Sequence, residues 1–182
     1  VVVADEAADT SPLPGETGSI ETAPPPGNQS LTVDQVARGY GFATLAAQGI
    51  PGANTRIAVV VGAGFKRIDV QSFWKSHGIE RPDPILIETM EPISTRYTET
   101  TLDIEWSGAL APSAQLLVFA GPDAKETSLI YTFNAAIEDG RAQVINDSFA
   151  HREDVTPRAI RNQYHASAKM AAAVRITVVG AT

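Results

Sequence analysis

The sequence contains no cysteine, which removes disulfides, thiolate metal sites and a cysteine nucleophile together. Histidine is scarce. His77, His151 and His165 are the three, and none has the i, i+4 partner or the HExxH frame of a metal ligand. A histidine-based triad also needs a serine on a sharp strand-to-helix elbow, and neither Ser107 nor Ser148 has that frame. Basic clusters are lacking as well: 14 Lys+Arg stand against 21 Asp+Glu, for a formal net charge of −7, and no run of cations tracks a phosphate backbone. Nucleic acid is therefore not an expected partner. No apolar stretch reaches the roughly 18 residues of a membrane span. The Val1-Val2-Val3 start lacks the basic and apolar regions of an intact signal peptide, so an exported protein is expected to have lost its leader already.

What is present is enough for one domain with a real core: 182 residues, 43% of them apolar. Residues 1–29 stand apart. They carry Asp5, Glu6, Asp9, Glu16 and Glu21, no Lys or Arg, and prolines at 12, 14, 24, 25 and 26. With almost nothing large to bury, this segment reads as a flexible acidic, Pro-rich arm or the remnant of a linker. Order is expected from Ser30, where Ser30, Thr32 and Asp34 offer cap residues before an apolar periodicity through Val36, Ala37 and Tyr40.

Beyond that point strands and helices alternate. Arg56 to Val61 is a continuous β-branched run of the kind buried on both faces of a parallel sheet, ended by Gly62-Ala63-Gly64. A helix over 69–77 with Val70, Phe73 and Trp74 inward leads to a short strand from Pro84 to Glu88. The pattern then predicts a helix over 98–110, with Leu102, Trp106, Ala109 and Leu110 inward, stopped at Ala111-Pro112. Strands at 115–119, 143–146 and 175–179 alternate with helices at 127–139, closed by Gly140, and 157–173, opened by Pro157. Such alternation calls for βαβ crossovers onto a mainly parallel sheet with helices on both faces. The chain stops straight after the fifth strand, where a loop would contribute to a site at the carboxyl ends of the strands, so a continuation is expected.

Two stretches carry chemistry. Gly62-Ala63-Gly64-Phe65-Lys66-Arg67, between a strand and a helix and followed by Glu88 at the end of the next strand, imitates a dinucleotide fingerprint. Arg67 replaces its third glycine, however, and Asp69 puts a negative charge where pyrophosphate would sit, so dinucleotide binding is a remote alternative. The second stretch is Thr98 to Trp106. Glu99 and Asp103 are one turn apart on the same helix face, with Cβ atoms ~5–6 Å from each other. Like charges so close repel, and when partly buried they tend to share one proton. From spacing alone the pair reads either as part of a solvated helix face, as Glu105 on a different side does, or as a functional couple of carboxylates.

The block Glu99-Thr100-Thr101-Leu102-Asp103-Ile104-Glu105-Trp106-Ser107-Gly108-Ala109-Leu110-Ala111-Pro112-Ser113-Ala114 resembles the signature helix of the sedolisin family, the serine-carboxyl peptidases of subtilisin-like fold, on the kumamolisin branch. The family motif is E-x-x-x-D on a helix, then G-A-x-A-P-x-A and a strand. Leu31 to Phe42 is similar to the family's entry helix with its Y-x-F, Arg56 to Phe65 to its first strand and glycine turn, Gln143 to Glu153 to V-I-x-x-S…E, and Arg175 to Thr182 to its G-[IV]-T-V strand. The resemblance implies a doubly wound, subtilisin-like α/β domain of which residues 30–182 are the N-terminal part, and an endopeptidase acting at acid pH. Glu99 would be the general base for a serine nucleophile, and Asp103 would orient Glu99 and share its proton. Ser148, Phe149 and Ala150 would line the substrate.

The resemblance also implies what lies elsewhere. The family's oxyanion aspartate sits in a G-D-S-G turn after the strand that here ends Val179-Gly180-Ala181-Thr182, and its nucleophile lies in a later S-G-T-S. Both, with the family's structural calcium, are expected on a C-terminal portion or on a second fragment of the same precursor. No cofactor is expected within this chain. A secreted or periplasmic, proteolytically processed protein is the corresponding expectation. Two departures touch the site. Ala150-His151 stands where relatives carry glycine, which would narrow the cleft and leaves open a degenerate member that binds peptides without cleaving them. Val61 stands where the kumamolisin branch has a glutamate behind the base.

Overall fold

A computed structural model of the chain describes residues 31–49, 52–91, 98–149 and 152–180. The acidic arm at 1–29 lies outside the described residues. Two short helices come first, α1 (Val33–Gly39) and α2 (Phe42–Ala47). The Thr32 hydroxyl caps Gln35 N–H while the Gln35 side chain returns to Thr32 N–H, a reciprocal capping box that fixes the start of α1. Tyr40, expected to face inward, is exposed, and Val33 is the residue of α1 that reaches the core.

The order that follows is β1 (Arg56–Val61), α3 (Arg67–Ser76), β2 (Ile85–Glu88), α4 (Thr98–Leu110), β3 (Gln115–Ala120), α5 (Glu126–Asp139), β4 (Val144–Asp147), α6 (Arg158–Ala173) and β5 (Thr177–Gly180). The strands form one parallel sheet in the order β2-β3-β1-β4-β5. β1 lies at its centre, as its uninterrupted apolar run demands. Side-chain alternation divides the core in two. Val59, Val61, Leu116 and Val118 pack under Val70 and Trp74 of α3 and Ile104 and Ala109 of α4. Ala58, Val60, Leu117, Phe119 and Ile145 pack on the other face against Phe133, Ala136 and Ile137 of α5 and Ala171 of α6. The left-handed conformation of Gly140, at φ 68°, closes α5.

α4 has the bounds its sequence predicts but not the predicted inner face. Thr100, Ile104 and Gly108 form the buried stripe, Trp106 and Leu110 pack at its margin, and Leu102 is 46% exposed. Close approach decides this. A Cβ at Gly108 would stand 2.5 Å from Trp74 Cζ2 and 2.6 Å from Arg81 Nη1, so the Trp74 ring reaches this turn of α4 because Gly108 has no side chain. Arg81 then locks the helix end, donating to the carbonyls of Gly108 (2.8 Å), Ala111 (3.3 Å) and Ala114 (2.8 Å) with its guanidinium 4.6 Å over the Trp74 ring. The Gly-Ala and Ala-Pro steps of the signature block thus have a packing function.

Candidate active site

Glu99 and Asp103 each precede a member of the buried stripe by one residue, so both carboxylates border the core and are half-buried. The first turn of α4 is tied down beside Glu99 by the buried Thr100 hydroxyl, which donates to the Ala63 carbonyl at 3.2 Å in the turn after β1. That bond sets the height of Glu99 over the carboxyl end of the sheet.

Asp103 is held from β4. Asn146 is in register with Val59, which packs on the α4 face, and period 2 puts Ser148 on the same side. The Ser148 hydroxyl donates to Asp103 Oδ1 at 2.9 Å, and Asn146 Nδ2 donates both to Asp103 Oδ2 at 3.2 Å and to Ser148 Oγ at 3.0 Å. Burial pushes the Asp103 carboxyl up to about 7; the Ser148 and Asn146 bonds pull it down, and the charge of Glu99 pushes it up. In acid, therefore, Asp103 carries a proton next to a second carboxyl group. Carboxyl groups one helical turn apart titrate as a coupled pair rather than singly.

The Ser148 hydroxyl, expected from sequence to border substrate, directs its proton to Asp103. Phe149 buries its side chain in the α4-side core. Ala150 and His151 lie outside the described residues. Val61 is fully buried in β1. Glu105, on the other side of α4, is raised by partial burial and by Asp69, and its carbonyl accepts the Trp74 indole N–H at 2.9 Å.

Sequence reasoning missed Asn146 as a holder of Asp103 and missed Asp147 altogether. Asp147 is 8% exposed and in register with Val60, so it points to the opposite side of the sheet. Burial pushes its carboxyl up to about 7, against the pull of the Phe149 N–H and with a further push from the charge of Asp103. The signal available for Asn146 was its place two residues before Ser148 on a strand. Among the described residues no group of three or more histidines or carboxylates converges. Nor is any described helix long and apolar enough to cross a membrane.

A sheet of this order with α3 and α4 on one face and α5 and α6 on the other is part of a subtilisin-like α/β domain, and the comparisons agree. The fold matches that of Pseudomonas sedolisin, a serine-carboxyl proteinase solved with two molecules of pseudo-iodotyrostatin, with a TM-score of 0.57, 23% identity, and coverage of 71% of this chain and 39% of that one. In sequence the chain is 26% identical over 156 residues to kumamolisin from Bacillus sp. (strain MN-32), covering 80% of this chain and 27% of kumamolisin. No protein-family model matches. The chain is similar in sequence to kumamolisin and in fold to Pseudomonas sedolisin, and it spans well under half the length of either.

Proposed function

We propose that the chain supplies the acidic side of the active site of a serine-carboxyl endopeptidase that hydrolyses peptide bonds in acid. Glu99 is the general base that takes the proton of a serine nucleophile, and Asp103, protonated, donates to Glu99 and keeps it charged at low pH. Ser148 and Asn146 hold Asp103 in place for that role. The observation that carries this reading is the half-buried Asp103 carboxyl one helical turn from Glu99, clamped on both oxygens by Ser148 and Asn146. Ser148, Phe149 and Ala150 border the bound peptide. The nucleophile, the oxyanion aspartate and the calcium site come from a C-terminal portion of the same precursor or a fragment that stays associated with it, a reading supported by the 27% and 39% of the relatives that this chain spans. Such an enzyme works outside the cytoplasm, where acid conditions occur.

The experiment is cleavage of a denatured protein by the full-length protein over roughly pH 3 to 8. Cleavage confined to the acid side supports the reading. Absence of cleavage at every pH refutes it, and peptide binding without cleavage would then assign a binding module.

A further inference from the structure

β4 ends in Asn146 and Asp147 and is followed by Ser148, and alternation sends the three side chains to opposite faces. Asn146 and Ser148 face α4 and hold Asp103. Asp147, between them, faces the α5 and α6 side in register with Val60, and is nearly enclosed. Its contact with backbone is the Phe149 N–H at 3.4 Å, a long bond that compensates little for a buried charge. Among the described residues on that face no cation offsets its charge. Tyr164 of α6 has a buried hydroxyl with no hydrogen-bond partner, and burial together with the charges of Asp147 and Glu126 raises its pKa. Glu126 of α5 accepts the Thr156 hydroxyl at 3.4 Å, and Arg161 of α6 reaches Glu153 at 3.7 Å. From α4, Asp103 adds a like charge.

We propose that Asp147 is a positioning residue for Asp103: as a neutral acid it lets the 146–148 strand end seat between the two cores with Asn146 and Ser148 aimed at Asp103, and as a carboxylate it repels Asp103 and loosens that clamp. Two buried carboxyl groups on opposite faces of one strand end cannot both ionise without cost, because the low dielectric between them strengthens repulsion. Coupling of this kind is reciprocal. A charge on Asp147 favours the protonated form of Asp103 as much as a charge on Asp103 favours the protonated form of Asp147. Both groups keep their protons in acid. As pH rises through neutrality both lose them, and the strand end that carries Asn146 and Ser148 is pushed from each side.

The catalytic consequence rests on the peptidase reading; the coupling does not. The test is a carbon-13 carboxyl titration of Asp103 in the full-length protein, compared with Asp147→Asn, a neutral near-isostere of the protonated residue. The Asp103 midpoint is expected to fall in Asp147→Asn, and the Asp147 midpoint to fall by the same amount in Asp103→Asn, a second route if the first variant fails to fold. An Asp103 midpoint unchanged in Asp147→Asn, or an Asp147 midpoint unchanged in Asp103→Asn, overturns the proposal. Absence of cleavage by the unmodified protein refutes the peptidase reading while leaving this titration intact.

Discussion

The Ser148 hydroxyl donates to Asp103 Oδ1 at 2.9 Å, joining the end of β4 to the second carboxylate of α4 across 45 residues of sequence. The bond favours the charged form of Asp103, so Ser148→Ala should raise its titration midpoint further. Hydrogen bonds to charged groups contribute about 1.5–3 kcal/mol and neutral ones about 1. Ser148→Ala is therefore expected to cost more stability at about pH 8 than at about pH 4. Thermal unfolding at both pH values checks this, and an equal loss at both contradicts it.

Stability itself should favour acid. Asp103 and Asp147 have folded-state pKa values of about 7 against an ordinary 3.8, so between these values the folded protein binds more protons than the unfolded one. Their contribution is complete below about pH 4, declines as pH rises to about 7 and is flat above, a loss on the order of a few kcal/mol. Asp139, held low by the Arg141 guanidinium, acts in the opposite sense, losing its contribution only as pH falls below its ordinary range. The unfolding midpoint of the full-length protein, followed from about pH 4 to about pH 8, is expected to fall with rising pH.

Gly108→Ala tests the seat of α4. Alanine gains up to about 1 kcal/mol in helix propensity, but its methyl group would lie 2.5 Å from Trp74 and 2.6 Å from the Arg81 guanidinium. Overpacking of this kind costs about 1–3 kcal/mol, more when a ring rather than a flexible chain must yield. A net destabilisation is expected by chemical denaturation. The shift of α4 should also carry Asp103 away from Ser148, with a change in its titration.

Thr100→Val keeps the shape of the side chain and removes the bond to the Ala63 carbonyl. A buried carbonyl left unsatisfied costs about 1–3 kcal/mol. Because this bond anchors the turn that holds Glu99, acid cleavage should fall together with stability. Loss of stability without loss of activity would show that the anchor does not position the base.

The helix and strand sequence was legible because its periodicities are local: the β-branched run at 56–61 made the central strand, and the bounds of α4 fell where its pattern placed them. Glu99 and Asp103 were legible for the same reason, since one turn of helix relates them. The inner face of α4 was not. Apolar content pointed to Leu102, whereas the contact with Trp74 selects the absence of a side chain at Gly108, and the pattern of α4 gives no sign that Trp74 is its neighbour. Asn146 and Ser148 find Asp103 at separations of 43 and 45 residues, which no local spacing reports. A buried acid at Asp147 contradicts the apolar rule for an inner strand, and only the enclosed structure gives it meaning.

Glu99→Gln tests the central claim most directly. The amide preserves size and hydrogen bonding but cannot accept the nucleophile's proton, and loss of a general base costs about 10²- to 10⁴-fold in rate. Peptide cleavage by the full-length protein at acid pH should fall by that factor in Glu99→Gln while the unfolding midpoint at the same pH stays near that of the unmodified protein. A Glu99→Gln variant that cleaves at the unmodified rate would contradict the assignment of Glu99 as base.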